Sequence, residues 1–374
     1  MNKYVLTINK VYDSILNRAI SYNERLKLRK IMHSQKDNYY LISKHNGKAW
    51  LNKWSVLGST NTVFYKYYSS YIGEDINIVP DDLMHNVIEP ILNPMRYRGF
   101  YADKNMFDIL LESSYHGKVT PLTIVRCINS CFYDTDYSII NENDAQNLVD
   151  SCTLRFLVAK PTIDTSSGKN VVFIDKYMKK IDLKRLRCLL GSDFILQEAL
   201  TQSEFMSQFN KSSVNTLRLN TYKSVKTNEA YIINGVLRVG KAGSYVDNTH
   251  AGGCLIGIEP DGCLKRFCTD QYGHRFPVFN GIDFSADRFV IPEYEKVKSF
   301  AKKVADSLPH QRCLALDIAL DVNNNPILIE YNIGGFGVWA FQQTIGAVFG
   351  PYTDEVISYC KDMIAGASRI YTAY

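Results

Sequence analysis

Leu314-Ala-Leu-Asp-Ile-Ala-Leu-Asp321, Val322-Asn-Asn-Asn325 and Pro326-Ile-Leu-Ile-Glu-Tyr-Asn332 follow one another without a break. Two apolar, β-prone runs flank a polar turn rich in Asn and closed by Pro, which reads as a β-hairpin. With Asp321 set opposite Pro326, Asp317 falls opposite Glu330, and directly opposed residues share a face. Asn332, two positions on, shares it too. Two carboxylates and an amide oxygen then converge on an otherwise apolar sheet. Opposed like charges are unfavourable unless something neutralises them. A hard divalent cation with oxygen ligands does this, and Mg²⁺ usually keeps room for substrate phosphates. The alternative is a hairpin with solvated acidic residues on its outer face. The apolar neighbours favour the metal reading.

The chain of 374 residues has ample length for a core, in one elaborate domain or two to three simpler ones. Its 46% hydrophobic and 22% charged residues are ordinary for a globular protein. The net charge of +5 does not by itself imply nucleic acid, but it suits an anionic small substrate. No apolar run approaches the length of a membrane span. The first residues carry charges throughout and lack an apolar segment of signal-peptide type. The nine cysteines include no CxxC pair, and the seven histidines show no metal spacing. Reduced thiols in a cytoplasmic protein are expected.

Residues 1–60 read as helical. Arg18, Arg25, Lys27, Arg29 and Lys30 suit a solvated face better than a nucleic-acid arm, because no aromatic ladder accompanies them. Pro80, Pro90 and Pro94 break any long helix over 61–100. Asp103 is a plausible N-cap for a helix through Leu111. Strands are expected at 120–125, 154–160, 171–174, 194–200, 214–222, 230–238 and 254–258. Helices are expected near 141–150, 293–307 and 340–365.

Several polar elements precede the acidic hairpin. Lys160 ends a strand before Pro161 and the small-residue loop Thr165-Ser-Ser-Gly-Lys169, whose N–H groups and hydroxyls could close over phosphates; an exposed turn is the alternative. The Ser-Gly-Lys fragment is not a Walker loop: its first Gly is missing and Asn170 stands where Ser or Thr is needed. Lys104 taken alone suits a surface lysine. Arg218 and Arg238 lie inside strands, where each could grip an anion or form a structural ion pair. Gln197-Glu198 interrupts an apolar run, and could meet a base or ribose or end the strand.

In order, Asp103-Lys104-Asn105, Pro121-Leu-Thr123, Lys160-Pro161, Ser166-Ser-Gly-Lys-Asn170, Gln197-Glu198, Arg218, Asp317 and Glu330-Tyr-Asn332 resemble the ATP-grasp superfamily. Ser213-Val-Asn-Thr-Leu-Arg218, Leu237-Arg-Val-Gly240, Val246-Asp-Asn248, Gly252-Gly253 and Leu328-Ile-Glu-Tyr-Asn332 are similar to its sugar-transfer-associated branch, found in bacterial surface-polysaccharide loci. The resemblance covers about 104–340. It implies an α+β ATP-grasp fold in which two α+β subdomains clasp ATP behind a variable N-terminal lobe. The expected divisions are lobe 1–100, small or lid subdomain 101–195, and large subdomain 196–374 with the metal hairpin. It implies that Lys104 and Lys160 bind phosphates, that Ser166, Ser167 and Gly168 cover them, and that Gln197, Glu198, Ala199 and Leu200 form the adenine hinge. Glu204 is the ribose candidate. Asp317, Glu330 and Asn332 are implied ligands of Mg²⁺, and Arg218 an arginine that steadies the transferred phosphate. Two residues depart from many relatives: Leu316 stands where Trp often precedes the metal Asp, and Lys241 follows Gly240 where a small residue is usual.

Arg238, Lys241, Asn248, Gly252 and Gly253 fall in one strand–loop–strand stretch, expected to hold the acceptor or the acyl-phosphate end, with a surface turn as the alternative. The implied activity is ADP-forming carboxylate–amine ligation through an acyl phosphate, on a glycan precursor. A kinase and a non-catalytic nucleotide-binding relative are the alternatives. Residues 163–170 are expected to act as a lid.

Overall fold

The computed structural model describes residues 3–34, 44–112, 118–163, 170–178 and 180–366. The expected lid segment, with Ser166, Ser167 and Gly168, lies almost wholly outside them.

Antiparallel strands form two main sheets. The smaller has six strands: β1 (Thr123–Ile128), β2 (Cys131–Tyr133), β3 (Ile139–Ile140), β4 (Phe156–Pro161), β5 (Val172–Asp175) and β6 (Phe194–Glu198), in the order β3-β2-β1-β6-β4-β5. Helices Glu142–Ser151 and Leu183–Leu190 pack on it through Ala145, Val149, Leu183, Leu186 and Leu190. Each opens on a side-chain cap, Asn141 or Asp182, that accepts from an otherwise orphaned backbone N–H. The larger sheet has seven strands: β7 (Thr216–Lys223), β8 (Ala230–Val239), β9 (Cys254–Ile258), β10 (Cys268–Thr269), β11 (Arg275–Phe276), β14 (Cys313–Leu320) and β15 (Pro326–Asn332), in the order β11-β10-β9-β8-β7-β14-β15. A separate pair, β12 (Val278–Phe279) and β13 (Ile282–Asp283), lies between β11 and β14 in sequence.

Strand β14 is buried along its whole length, and its two faces differ. Leu314, Leu316, Ile318 and Leu320 join one core with helix Tyr294–Asp306, whose Val297, Phe300, Ala301 and Val304 line its apolar side. The alternate residues Cys313, Ala315 and Ala319 are small, and Asp317 shares their face. The side chains beside Asp317 on its own strand are therefore short, which leaves room for arginines from β7 and β8.

The hairpin pairs Asp317 with Glu330 and Ala315 with Asn332, as the sequence indicates, but its turn differs. Leu320, not Asp321, opposes Pro326. Asp321 instead closes the turn by accepting from the backbone N–H of Asn323 at 2.9 Å and of Asn325 at 2.8 Å. One extra residue, Ile329, sits between the pairs Ile318–Leu328 and Asp317–Glu330. This β-bulge restores the expected register and turns Ile329 toward the cleft.

The described residues before 101 are mostly helical and pack against the large sheet. Trp50 and Trp54 are fully buried and donate their indole N–H to Ile78 O (2.7 Å) and Ile76 O (3.1 Å). One core joins them to Tyr222, Val236, Cys313 and Ala315 of the sheet and to Phe341, Val356 and Cys360 near the C-terminus. Asn93 pins the hairpin base. Its amide donates to Cys313 O (2.5 Å) and Ile333 O (2.9 Å) and accepts from the N–H of Arg312 (2.9 Å) and Cys313 (3.0 Å). Glu89 accepts from Phe336 N–H at 2.8 Å and so fixes the segment after Asn332. On helix Lys3–Ser34, Arg18, Lys27, Arg29 and Lys30 are exposed, a solvated face. The helix expected at 340–365 is instead two, Val338–Gln342 and Thr353–Gly366. Gly346, Gly350 and Pro351 interrupt them, with Gly350 at φ 48°.

Candidate active site

A cleft of ≈ 720 Å³ lies between the two sheets. Its floor is one row of side chains across four strands. Arg218 of β7 opposes Asp317 of β14, which opposes Glu330 of β15, so all three share a face. Arg238 of β8 reaches the same point. Arg218 grips Asp317 with two parallel bonds, Nε–H to Oδ1 at 2.7 Å and Nη2–H to Oδ2 at 2.6 Å. Arg238 Nη1–H donates to Oδ2 at 2.9 Å. Burial alone would raise the Asp317 pKa, but the two guanidinium groups outweigh it and hold the carboxyl well below its usual range. Burial alone would likewise lower Arg238, but Asp247, Asp317 and Glu330 keep it firmly charged.

Two lysines enter from the other side. Lys104 follows the capping residue Asp103, which accepts from Asn105 N–H at 2.9 Å, and its own N–H donates to Thr162 O at 3.1 Å. Its ammonium lies 3.4 Å from Glu330 Oε2. Lys160 stands near the end of β4. Burial, and then the positive charge of Lys104, push its pKa from the usual lysine value down to about 8, against the pull of Glu330 and Asp108. The opposed carboxylates of the hairpin are therefore neutralised by protein cations. The register that suggested a metal is present, but the charge balance does not require one.

Hard-cation ligation is then a question of remaining oxygens. The Glu330 side chain is 31% exposed. Asn332 Nδ2 donates to Ala315 O at 3.2 Å, which uses the donor end of the amide; the residue lines the cleft. Asp317 already accepts three arginine bonds, though a carboxylate has about four lone-pair sites. Two carboxylates and an amide oxygen, with space for phosphate oxygens, fit Mg²⁺. Among the described residues, no three His, Cys, Asp or Glu side chains gather as a metal site of their own.

The remaining expected residues divide. Gln197, Glu198 and Leu200 line the cleft. The Gln197 amide, however, donates to Pro121 O (3.1 Å) and Thr123 Oγ1 (3.2 Å), and so ties β6 to β1. The Glu198 carboxylate is held by Lys118 and by Leu122 N–H. Ala199 N–H donates to Phe156 O at 3.0 Å. Glu204 is exposed in the first turn of helix Glu204–Ser207 and does not line the cleft. Asn248 lines it, and its side chain accepts from His250 N–H at 2.9 Å. Lys241 is exposed and outside the lining. Gly252 (φ 86°) ends the short turn Thr249–Ala251, and a Cβ on Gly253 would lie 2.6 Å from Val239 O. These glycines are needed by the turn itself.

Asp247 and Thr216 were missed. Asp247 Oδ1 lies 3.1 Å from Arg238 Nη2, and its other oxygen accepts from Thr216 Oγ1. Burial raises the Asp247 pKa, with Arg238 opposing. The available signal was Arg238 itself, since an arginine buried in a strand needs a carboxylate partner.

Solved structures give only distant likenesses. The ATP-grasp ligase PsnB, complexed with precursor peptide PsnA2 and AMPPNP, is 14% identical with a TM-score of 0.40, over 72% of this chain and 62% of that one. D-cycloserine synthetase DcsG is 15% identical with a TM-score of 0.43, over 72% and 73%. The VanG D-Ala:D-Ser ligase from Enterococcus faecalis is 14% identical with a TM-score of 0.39, over 69% and 61%. The match thus spans about three-fifths of the length of PsnB and of VanG. No curated protein matches. A family model described as sugar-transfer associated ATP-grasp matches residues 89–356, which contain every site residue named above, and the chain belongs to that family.

Proposed function

We propose that the protein is an ATP-dependent, ADP-forming carboxylate–amine ligase acting on a sugar or glycan precursor, through an acyl phosphate. The observation that carries this reading is the paired row of charges along the cleft floor: Lys104–Glu330 at one end, Arg218–Asp317–Arg238 at the other. Phosphoryl transfer asks a protein for positioning and charge neutralisation more than for a covalent nucleophile. In this reading Lys104 and Lys160 face the nucleotide phosphates, and the backbone after β6, through Leu200, borders the base. Glu330 and Asn332, with Asp317, would hold Mg²⁺, which when bound would neutralise phosphate charge. Arg218 and Arg238 attend the transferred phosphate and the substrate carboxylate. The lobe 1–100 braces the hairpin, the region 101–195 with β6 covers the nucleotide, and 196–374 carries the floor. Gly252 and Gly253 have only an indirect part, as the turn beside Asn248, and Lys241, exposed and outside the lining, has none. Among the described residues no helix is long and apolar enough to cross a membrane.

The test is ADP release from purified protein with Mg·ATP, screened with uronates and amino acids in combination. Ligation requires both a carboxylate and an amine. ADP release with one hydroxyl or carboxylate substrate and no amine identifies a kinase.

A further inference from the structure

Asp247 has no role in the proposed function, yet it completes the cleft floor. Arg238 is held at both ends of its guanidinium, by Asp317 on Nη1 at 2.9 Å and by Asp247 on Nη2 at 3.1 Å. Asp247 is itself tied down, because Thr216 Oγ1–H donates to its second oxygen. Thr216 is the direct strand partner of Arg238, so the tether starts and ends on the same pair of strands. The side chains of Arg238 and Asp247 are only 13% and 14% exposed, so solvent screens this pair little. Both line the cleft.

Asp317 already accepts a two-pronged grip from Arg218. An Arg238 lacking its second carboxylate would turn fully onto Asp317 and compete for the same oxygens. A planar guanidinium gripped from both sides has one orientation, and its remaining N–H groups keep one direction.

We propose that Asp247 is a positioning residue: it holds the Arg238 guanidinium so that its free N–H groups meet a phosphoryl or acyl-phosphate oxygen rather than collapsing onto Asp317. The inference rests on the ATP-grasp ligase reading of this cleft. It also makes a prediction opposite in sign to simple charge counting. Deleting a negative charge beside an anion site should strengthen anion binding. Deleting a positioning carboxylate should weaken it.

The experiment uses the full chain saturated with Mg·ADP and titrates inorganic phosphate by calorimetry. Wild type is compared with Asp247→Asn, Asp247→Glu, Arg238→Ala and the double variant Asp247→Asn/Arg238→Ala. The expected result is Mg·ADP affinity within about threefold of wild type in Asp247→Asn, with phosphate affinity reduced about tenfold. The double variant should lose no more than Arg238→Ala alone, and Asp247→Glu should recover part of the loss. Tighter phosphate binding by Asp247→Asn would overturn the proposal in favour of plain electrostatics. Additive losses in the double variant would overturn it by showing that Asp247 acts apart from Arg238. Parallel loss of Mg·ADP and phosphate affinity would reduce Asp247 to a structural residue. A wild-type chain that binds no Mg·ADP would fail the nucleotide reading first, and is told apart from the other outcomes by that first titration.

Discussion

Lys160 gives a quantitative handle on the proposed phosphate end of the cleft. Burial and the neighbouring Lys104 hold its pKa at about 8 in the nucleotide-free protein. Phosphate charge placed beside it would restore a value near the ordinary lysine ~10.5. Binding would then take up a proton wherever the pH lies between those values. The free protein is about half protonated at Lys160 at pH 8 and roughly one-tenth protonated at pH 9, so uptake is about 0.5 and then about 0.9 proton per nucleotide. Affinity for Mg·ATP should fall about tenfold from pH 7 to pH 9, since proton uptake is linked to binding. The phosphates do not obscure the signal, because their last ionisation lies near ~6. Calorimetry in two buffers of different ionisation enthalpy reads the uptake directly. Lys160→Met keeps most of the side-chain volume and should abolish both the uptake and the pH dependence. The same shift acts on stability in the opposite pH sense. A lowered lysine pKa means that the unfolded chain binds more protons between pH ~8 and ~10.5, so stability of the nucleotide-free protein rises through that window. Equal proton uptake by wild type and Lys160→Met would refute the placement of Lys160 against the phosphates.

Glu330→Gln keeps the shape of the side chain and removes the charge that meets Lys104 and, in the proposed function, the cation. ADP formation should drop by orders of magnitude with an unchanged far-UV spectrum, and a near-normal rate would remove Glu330 from the site. Arg238→Ala should lower kcat/KM for the carboxylate substrate about tenfold or more while Mg·ATP affinity holds. Collapse of ATP affinity with intact acceptor kinetics would move Arg238 to the nucleotide. In the N-terminal lobe, burial and then Glu24 push Asp81 up to about 7. The folded state therefore holds that proton more tightly, and stability falls as pH rises from ~4 through ~7. Asp81→Asn keeps an acceptor for the Tyr68 hydroxyl and should raise stability at pH 8 by roughly 2–4 kcal/mol. Thermal midpoints at pH 5 and pH 8 check this, and a lowered midpoint at pH 8 contradicts it.

The hairpin was legible because alternation and the Asn-rich turn act over short range. Pairing of Asp317 with Glu330 came out of the sequence through two errors that cancel, a turn shifted by one residue and the bulge at Ile329. A bulge carries no strong local signal when the extra residue is another Ile in an apolar run. The consequence drawn from that pairing was less secure. The sequence brings the carboxylates together but does not reveal that Arg218 is the opposite neighbour of Asp317 on the next strand. Nonlocal pairing decides the charge balance, and with it the case for a metal. Gln197 and Glu198 interrupt an apolar strand, which leaves open whether they meet a base or ribose or end the strand. Both line the cleft, and their side chains also join β6 to β1 and to the segment before it. Gly252 and Gly253 carry a similar ambiguity, and the backbone of the turn accounts for both. The N-terminal lobe is expected to be variable, yet Asn93 holds both ends of the acidic hairpin and Glu89 the segment after it. Such contacts span more than two hundred residues and leave no periodic trace.

The ligase reading requires that nucleotide turnover be coupled to two substrates. ADP and phosphate release should be measured on purified protein with Mg·ATP and a panel of uronates, in the presence and absence of amino acids as amine donors. Stoichiometric ADP, phosphate and amide should form only when carboxylate and amine are both present, and Glu330→Gln should lose all three products. ADP formed with a phosphorylated product and no need for an amine, or turnover that survives Glu330→Gln, would contradict it.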